Sequence, residues 1–101
     1  MNDILQTPEF KAWLKTLRDY IARTHIANRI DRAKKGLFGD CQPVGGGISE
    51  MRIHYGPGYR LYFAQKGATI YLLLLGGEKS TQSRDIIRAK ALWAQVKGET
   101  P

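Results

Sequence analysis

Between Glu50 and Phe63 the chain reads Glu-Met-Arg-Ile-His-Tyr, Gly-Pro-Gly, Tyr-Arg-Leu-Tyr-Phe, and no other stretch limits the fold as sharply. Met51, Ile53 and Tyr55 alternate with Glu50, Arg52 and His54, the period of two expected of a strand with one buried face. Gly56-Pro57-Gly58 supplies the turn into a second strand, so a β-hairpin follows. In that second strand Tyr59, Leu61 and Phe63 keep one parity and Arg60 and Tyr62 the other. The hairpin therefore has an apolar face and a face bearing an acid, two arginines and an imidazole. Charges on a strand face are usually just solvated, so the neighbouring segments decide whether this one does more.

Ile4 and Leu5 suit either a short edge strand or a loose arm. Thr7-Pro8-Glu9 marks a helix start: a hydroxyl cap, a proline whose missing N–H costs nothing, and an acid at the positive end of the dipole. Phe10, Trp13, Leu14, Leu17 and Ile21 then form one apolar stripe, with Trp13 assigned to the core. The stripe loses phase around Asp19 to Thr24 and resumes through Ile26, Ile30, Ala33 and Leu37, which predicts a second helix antiparallel to the first, ended by Gly36, with one bent helix as the alternative. Cys41 to Val44 suits a strand, and Gly45-Gly46-Gly47 a flexible connection with no phosphate-loop signature. Thr69 to Leu75 is apolar on both parities, so it is expected to be buried on both faces in mid-sheet. Gly76-Gly77 is expected to end it, and Ser80 or Thr81 to cap a last helix carrying Ile86, Ala89, Lys90, Trp93 and Val96, beyond which Glu99 to Pro101 should fray. The expected class is α+β in one domain over residues 1–101, with helices on one side of a mainly antiparallel sheet.

Sixteen Lys and Arg against nine Asp and Glu leave a net charge of +7 on 101 residues, with a pI near 9.8. Such an excess favours a polyanionic partner, nucleic acid first, through counterion release, although an acidic protein would meet the same surface. The longest apolar run, Ile70 to Leu75, is far short of the roughly 20 residues of a membrane span, and no signal peptide opens the chain, so the expected location is the cytoplasm. One cysteine, Cys41, makes neither an internal disulfide nor a structural zinc site.

Glu50, Arg52 and His54 share a strand face, and Arg60 lies on the partner strand, so the four are expected to converge in an open groove reached by Lys79 and Arg84. Cations with one carboxylate suit a phosphodiester better than a metal: the guanidiniums hold non-bridging oxygens while the carboxylate or imidazole moves a proton. With RNA the 2′-hydroxyl is the nucleophile and neither metal nor cofactor is called for. Arg29, Arg32, Lys34 and Lys35 on the second helix are candidate phosphate contacts, and one or two of Tyr55, Tyr59, Tyr62 and Tyr71 could stack on bases. On these features alone a basic RNA- or protein-binding domain is an equal reading.

The run from Gly47 to Phe63, with Leu74-Leu75-Gly76-Gly77-Glu78-Lys79-Ser80 and Asp85-Ile86, resembles the RelE/ParE toxin superfamily, in its branch of phage-derived, HigB-type addiction-module killer proteins. The resemblance extends from the first helix to Trp93. It implies two N-terminal helices on a twisted, mainly antiparallel sheet of three to five strands, with a C-terminal helix. It also implies the toxin of a type II toxin–antitoxin pair, held by an adjacently encoded antitoxin that often carries a helix-turn-helix. Many RelE-like relatives cut mRNA in the ribosomal A site and leave a 2′,3′-cyclic phosphate. On that resemblance Arg60 matches a transition-state clamp, Lys79 falls near a basic position that assists the phosphate or leaving group, Glu50 falls where relatives carry a lysine or a glutamate base, and Arg52 matches a strand-closing arginine. Arg60→Ala is then expected to stop activity and leave the fold intact. Ile48 and Glu50 stand where RelE has two lysines, and the last helix lacks a tyrosine. ParE-like relatives share the fold without the nuclease set and inhibit DNA gyrase, which is the alternative.

Overall fold

A computed structural model describes residues 1–98. The fraying expected of Glu99 to Pro101 lies outside the described residues. Three helices and five strands follow in the order β1 (Asp3–Gln6), α1 (Pro8–Thr16), α2 (Tyr20–Lys34), β2 (Cys41–Gly45), β3 (Ile48–Ile53), β4 (Tyr59–Gly67), β5 (Ile70–Glu78) and α3 (Gln82–Gly98), with one 3₁₀ turn over Lys79–Thr81. The protein is α+β, built on one mixed sheet of order β1-β5-β4-β3-β2. β1 runs parallel to β5, and the other neighbours are antiparallel. The ambiguous N-terminal segment is thus an edge strand.

Local chemistry sets the helix boundaries. The Thr7 hydroxyl accepts from Phe10 N at 3.0 Å with Pro8 in the first turn, which starts α1. Asp19 Oδ1 accepts from Ile21 N at 2.9 Å and Ala22 N at 3.2 Å, so the phase change seen in the sequence is a true chain break with its own cap. Glu78 and Thr81 cap one another reciprocally ahead of α3.

Helices on one side of the sheet is the expectation that fails. Phe10, Ala22, Ile26, Ile30 and Ala33 of α1 and α2 pack on Met51, Ile53, Tyr59, Leu61, Phe63 and Leu73, while Ala89 and Trp93 of α3 pack on Ile48, Tyr62, Ala64, Leu72, Leu74 and Leu75 across the sheet. The reason is legible in β4 and β5, whose side chains are apolar on both parities and so need a cover on each face. The polar face of the hairpin consequently does not lie open along its length: α3 covers part of it.

Two glycine segments also depart from expectation. Gly46 and Gly47 have φ of +64° and +80° and form a tight turn between β2 and β3 rather than a flexible linker. Gly76 and Gly77 lie inside β5 rather than at its end. A Cβ on Gly76 would sit 2.1 Å from the Trp13 ring, and one on Gly77 would sit 2.0 Å from Asp85 Oδ2, so these positions are bare because α1 and α3 press on the strand from opposite faces. β5 is interior but not central, that place being taken by β4. No helix among the described residues is long and apolar enough to cross a membrane.

Candidate functional site

Register alone puts the polar residues of the hairpin side by side. Glu50 faces Tyr62, and Arg52 faces Arg60, which in turn faces Gly77. What differs along this face is the cover. Glu50 and Arg60 lie beneath the start of α3, at 3% and 6% exposure. Arg60 Nε stands 3.3 Å from Glu50 Oε2, and Gln82 Nε2 donates to Glu50 Oε1 at 2.7 Å and Oε2 at 3.0 Å. Arg60 Nε and Nη1 and the Tyr62 hydroxyl make no hydrogen bond among the described residues. Burial pushes the Tyr62 phenol far above its usual range, with the Glu50 charge adding to the effect. The expected open groove with Glu50 and Arg60 on its wall is therefore absent: the pair is sealed, and α3 closes it because Leu72, Leu74 and Tyr62 on the same face demand burial.

Past the end of β3 the chain emerges into solvent at His54. His54 Nε2 meets Asp40 Oδ2 at 2.5 Å. Arg52 Nε lies 3.6 Å from Asp40 Oδ1, and Arg52 Nη2 donates to Gln42 Oε1. The His54 bond, helped by the Arg52 charge, holds the Asp40 carboxyl below its usual range. A carboxylate only accepts, so Nε2 carries the proton and Nδ1 of the neutral ring is left as the basic atom. His54 opens onto a cleft of about 320 Å³ that His25, Asn28, Arg29 and Arg32 of α2 line together with Ile53 and Tyr55.

The other cations fall into four groups. Arg29 is a structural clamp: Nη1 donates to Arg52 O at 2.5 Å, and Nη2 to Phe38 O at 2.9 Å and Asp40 O at 3.1 Å, which holds the Asp40 loop against the end of β3. Arg32 is exposed on the cleft, Lys34 pairs with Asp31 at 3.7 Å, and Lys35 is exposed at the end of α2. Lys79 is exposed on the 3₁₀ turn, its N–H bonded to Gly58 O at 2.7 Å, so it flanks the hairpin turn. Arg84 lies 3.8 Å from Asp85 and lines a separate cleft of about 510 Å³ between α1 and α3, with Trp13, Gly76, Gly77 and Arg88. The ten candidates thus do not share one hollow. Glu50 and Arg60 form one unit, Arg52 and His54 a second, and the remainder frame them.

Asp40, His25 and Asn28 were missed in the sequence. His25, Asn28 and Arg32 recur at three- and four-residue spacing on one helical stripe, a signal that was available. Asp40 sits after Gly39 in a loop, where only the tertiary fold brings it to His54. No group of three or more His, Cys, Asp or Glu among the described residues is arranged to hold a metal ion.

Fold and site together define a small basic α+β protein with an imidazole–carboxylate pair at the mouth of a cationic cleft. No family model matches the chain. It is 44% identical over 89 residues to an uncharacterized protein of Haemophilus influenzae, the match covering 88% of this chain and 90% of that protein. The chain belongs to the same family as that protein.

Proposed function

We propose that this protein is the toxin of a type II toxin–antitoxin module with a RelE-like fold, and that it stops translation as a metal-independent endoribonuclease acting on mRNA at the ribosome. The hairpin and Gly-Gly-Glu-Lys-Ser segments that resemble the RelE/ParE superfamily, the net charge of +7, and the two N-terminal helices laid against a sheet support this reading. Its partners are then mRNA on the ribosome and an antitoxin encoded beside it, in the cytoplasm.

One observation carries the assignment of the site: the exposed His54–Asp40 contact of 2.5 Å beside the cleft of α2. In the proposed reaction His54 Nδ1 removes the proton of a ribose 2′-hydroxyl, the 2′-oxygen bonds to phosphorus, and the bond from phosphorus to the 5′-oxygen breaks. The products are a 2′,3′-cyclic phosphate and a 5′-hydroxyl, the leaving oxygen taking a proton from solvent. Asp40 holds the imidazole in the correct tautomer, while Arg32 and Arg52 meet the charge that grows on the phosphate. Glu50 and Arg60 serve as a buried support for the hairpin.

Gyrase inhibition of the ParE kind is the second reading, and the burial of Glu50 and Arg60 is the observation that favours it. Mapping transcript 5′ ends after brief induction separates the two. New 5′-hydroxyl ends within minutes, lost in His54→Ala, are expected for the nuclease. An unchanged transcript profile with DNA-damage signalling overturns the nuclease in favour of gyrase.

A further inference from the structure

Four tyrosines were candidates for base stacking, and the fold removes three of them. Tyr59 and Tyr62 are buried, and Tyr71 is packed between Phe38 and Phe63. Tyr55 alone of the four lines a cationic cleft. Its hydroxyl donates to Asp19 Oδ2 at 2.9 Å, and Asp19 is itself fixed by capping α2, so the phenol ring is held at both ends. Against it lies the His25 imidazole, with ring centroids 4.7 Å apart and planes tilted by 37°. The His25 side chain is exposed on α2. A ring packed against one neighbour, with the Asp19 charge nearby, and otherwise exposed is an uncompleted stack.

We propose that the His25–Tyr55 pair is a platform on which one unpaired nucleobase stacks, placing the attached ribose at His54 and its phosphate at Arg32. This rests on the reading that the cleft takes RNA. At about 320 Å³ the cleft is near the lower end of the roughly 300–1,000 Å³ of ligand sites, room for one nucleotide. The substrate class is therefore single-stranded RNA, because a paired base has no free face to offer. Stacking accepts any base, so the platform positions a nucleotide without reading a sequence.

The test uses two short single-stranded probes and fluorescence anisotropy. One is an oligouridylate with 2′-O-methyl groups throughout, which cannot be cut; the other has the same backbone without bases. His25→Ala should weaken binding of the first roughly 5- to 150-fold, the loss expected of one base–aromatic stack. It should leave the abasic strand unaffected, and His25→Phe should bind the first strand close to wild type. Tyr55→Phe, which keeps the ring and loses only the Asp19 bond, is the second variant and should retain most of the affinity. Equal affinity of His25→Ala and wild type for the base-bearing strand overturns the platform, as does an equal loss on the abasic strand. His25-dependent binding without cleavage of ordinary mRNA on ribosomes upholds the platform and sinks the nuclease reading. Cleavage that needs His54 with binding indifferent to His25 does the reverse, and a wild-type protein that binds neither strand overturns the platform and leaves the nuclease reading to the ribosomal cleavage assay.

Discussion

The Glu50–Arg60 pair and the Asp40–His54 pair are each an acid beside a nitrogen base, anchored on the same hairpin, yet their surroundings are opposite. The first lies at 3% and 6% exposure beneath α3 with Gln82 bridged to the carboxylate. The second has side chains 46% and 69% exposed, at the mouth of a cleft. A buried ion pair contributes little beyond an apolar pair of the same volume, but loss of either partner strands a charge in a medium that cannot solvate it. An exposed pair contributes little to stability and can exchange protons with a substrate. An acid beside a nitrogen base is therefore sealed support in one case and, in the proposed reading, the seat of chemistry in the other, according to what covers it.

The largest stability effect expected follows from breaking the sealed pair. Arg60→Ala leaves Glu50 buried and should cost about 3–5 kcal/mol in chemical denaturation, whereas a joint Glu50→Leu, Arg60→Met replacement should recover most of it. Loss of function in Arg60→Ala alone would then report unfolding, against the expectation that this change spares the fold. Gly76→Ala comes next: its methyl falls on the Trp13 ring and should destabilise by about 1–3 kcal/mol, less in a Trp13→Leu background, where the ring is gone.

Tyr62→Phe should leave neutral-pH stability equal or raise it by about 1 kcal/mol, since the hydroxyl has no partner to lose. It should also change the alkaline limb. The Tyr62 phenol is raised above its ordinary value of 10.0 by burial, so its contribution is fully present below pH 10 and is lost as pH rises through the raised value. Denaturation followed from neutral pH upward should show that loss in wild type and a shallower one in Tyr62→Phe. The smallest effect belongs to the exposed pair. Asp40 is held below 3.8 by the His54 bond, so that bond persists above the ordinary carboxylate range and is lost as pH falls through the lowered value. Nitrogen shifts of the His54 ring should follow this change while the melting temperature barely moves on its account.

Much of the fold was legible because it rests on local periodicity. The alternation of Met51, Ile53, Leu61 and Phe63, the cap at Thr7 and the stripe of α2 each specify an element without reference to the rest of the chain. The cover on the second face was half legible, since Leu72 and Leu74 asked for one while α3, eight residues further on, was assigned to the same side as α1 and α2. Gly76 and Gly77 were misread as an end because glycine signals a turn and a close approach equally well. The site was less legible still. Strand parity put Glu50, Arg52 and His54 on one face, whereas β3 ends at Ile53 before His54, and burial is a property of what lies above a residue, on which parity is silent. Asp40 was invisible for the same reason, as it reaches His54 through a loop that Arg29 pins by three carbonyl contacts.

The most direct trial of this division is the rate of the proposed mRNA cleavage on ribosomes per folded molecule, measured in parallel for His54→Ala and Glu50→Gln. His54→Ala should lose about 10²–10⁴-fold with its melting temperature unchanged, while Glu50→Gln should cut at close to the wild-type rate. A folded His54→Ala protein that cleaves as wild type does, with activity lost instead in folded Glu50→Gln, would return the chemistry to the buried pair.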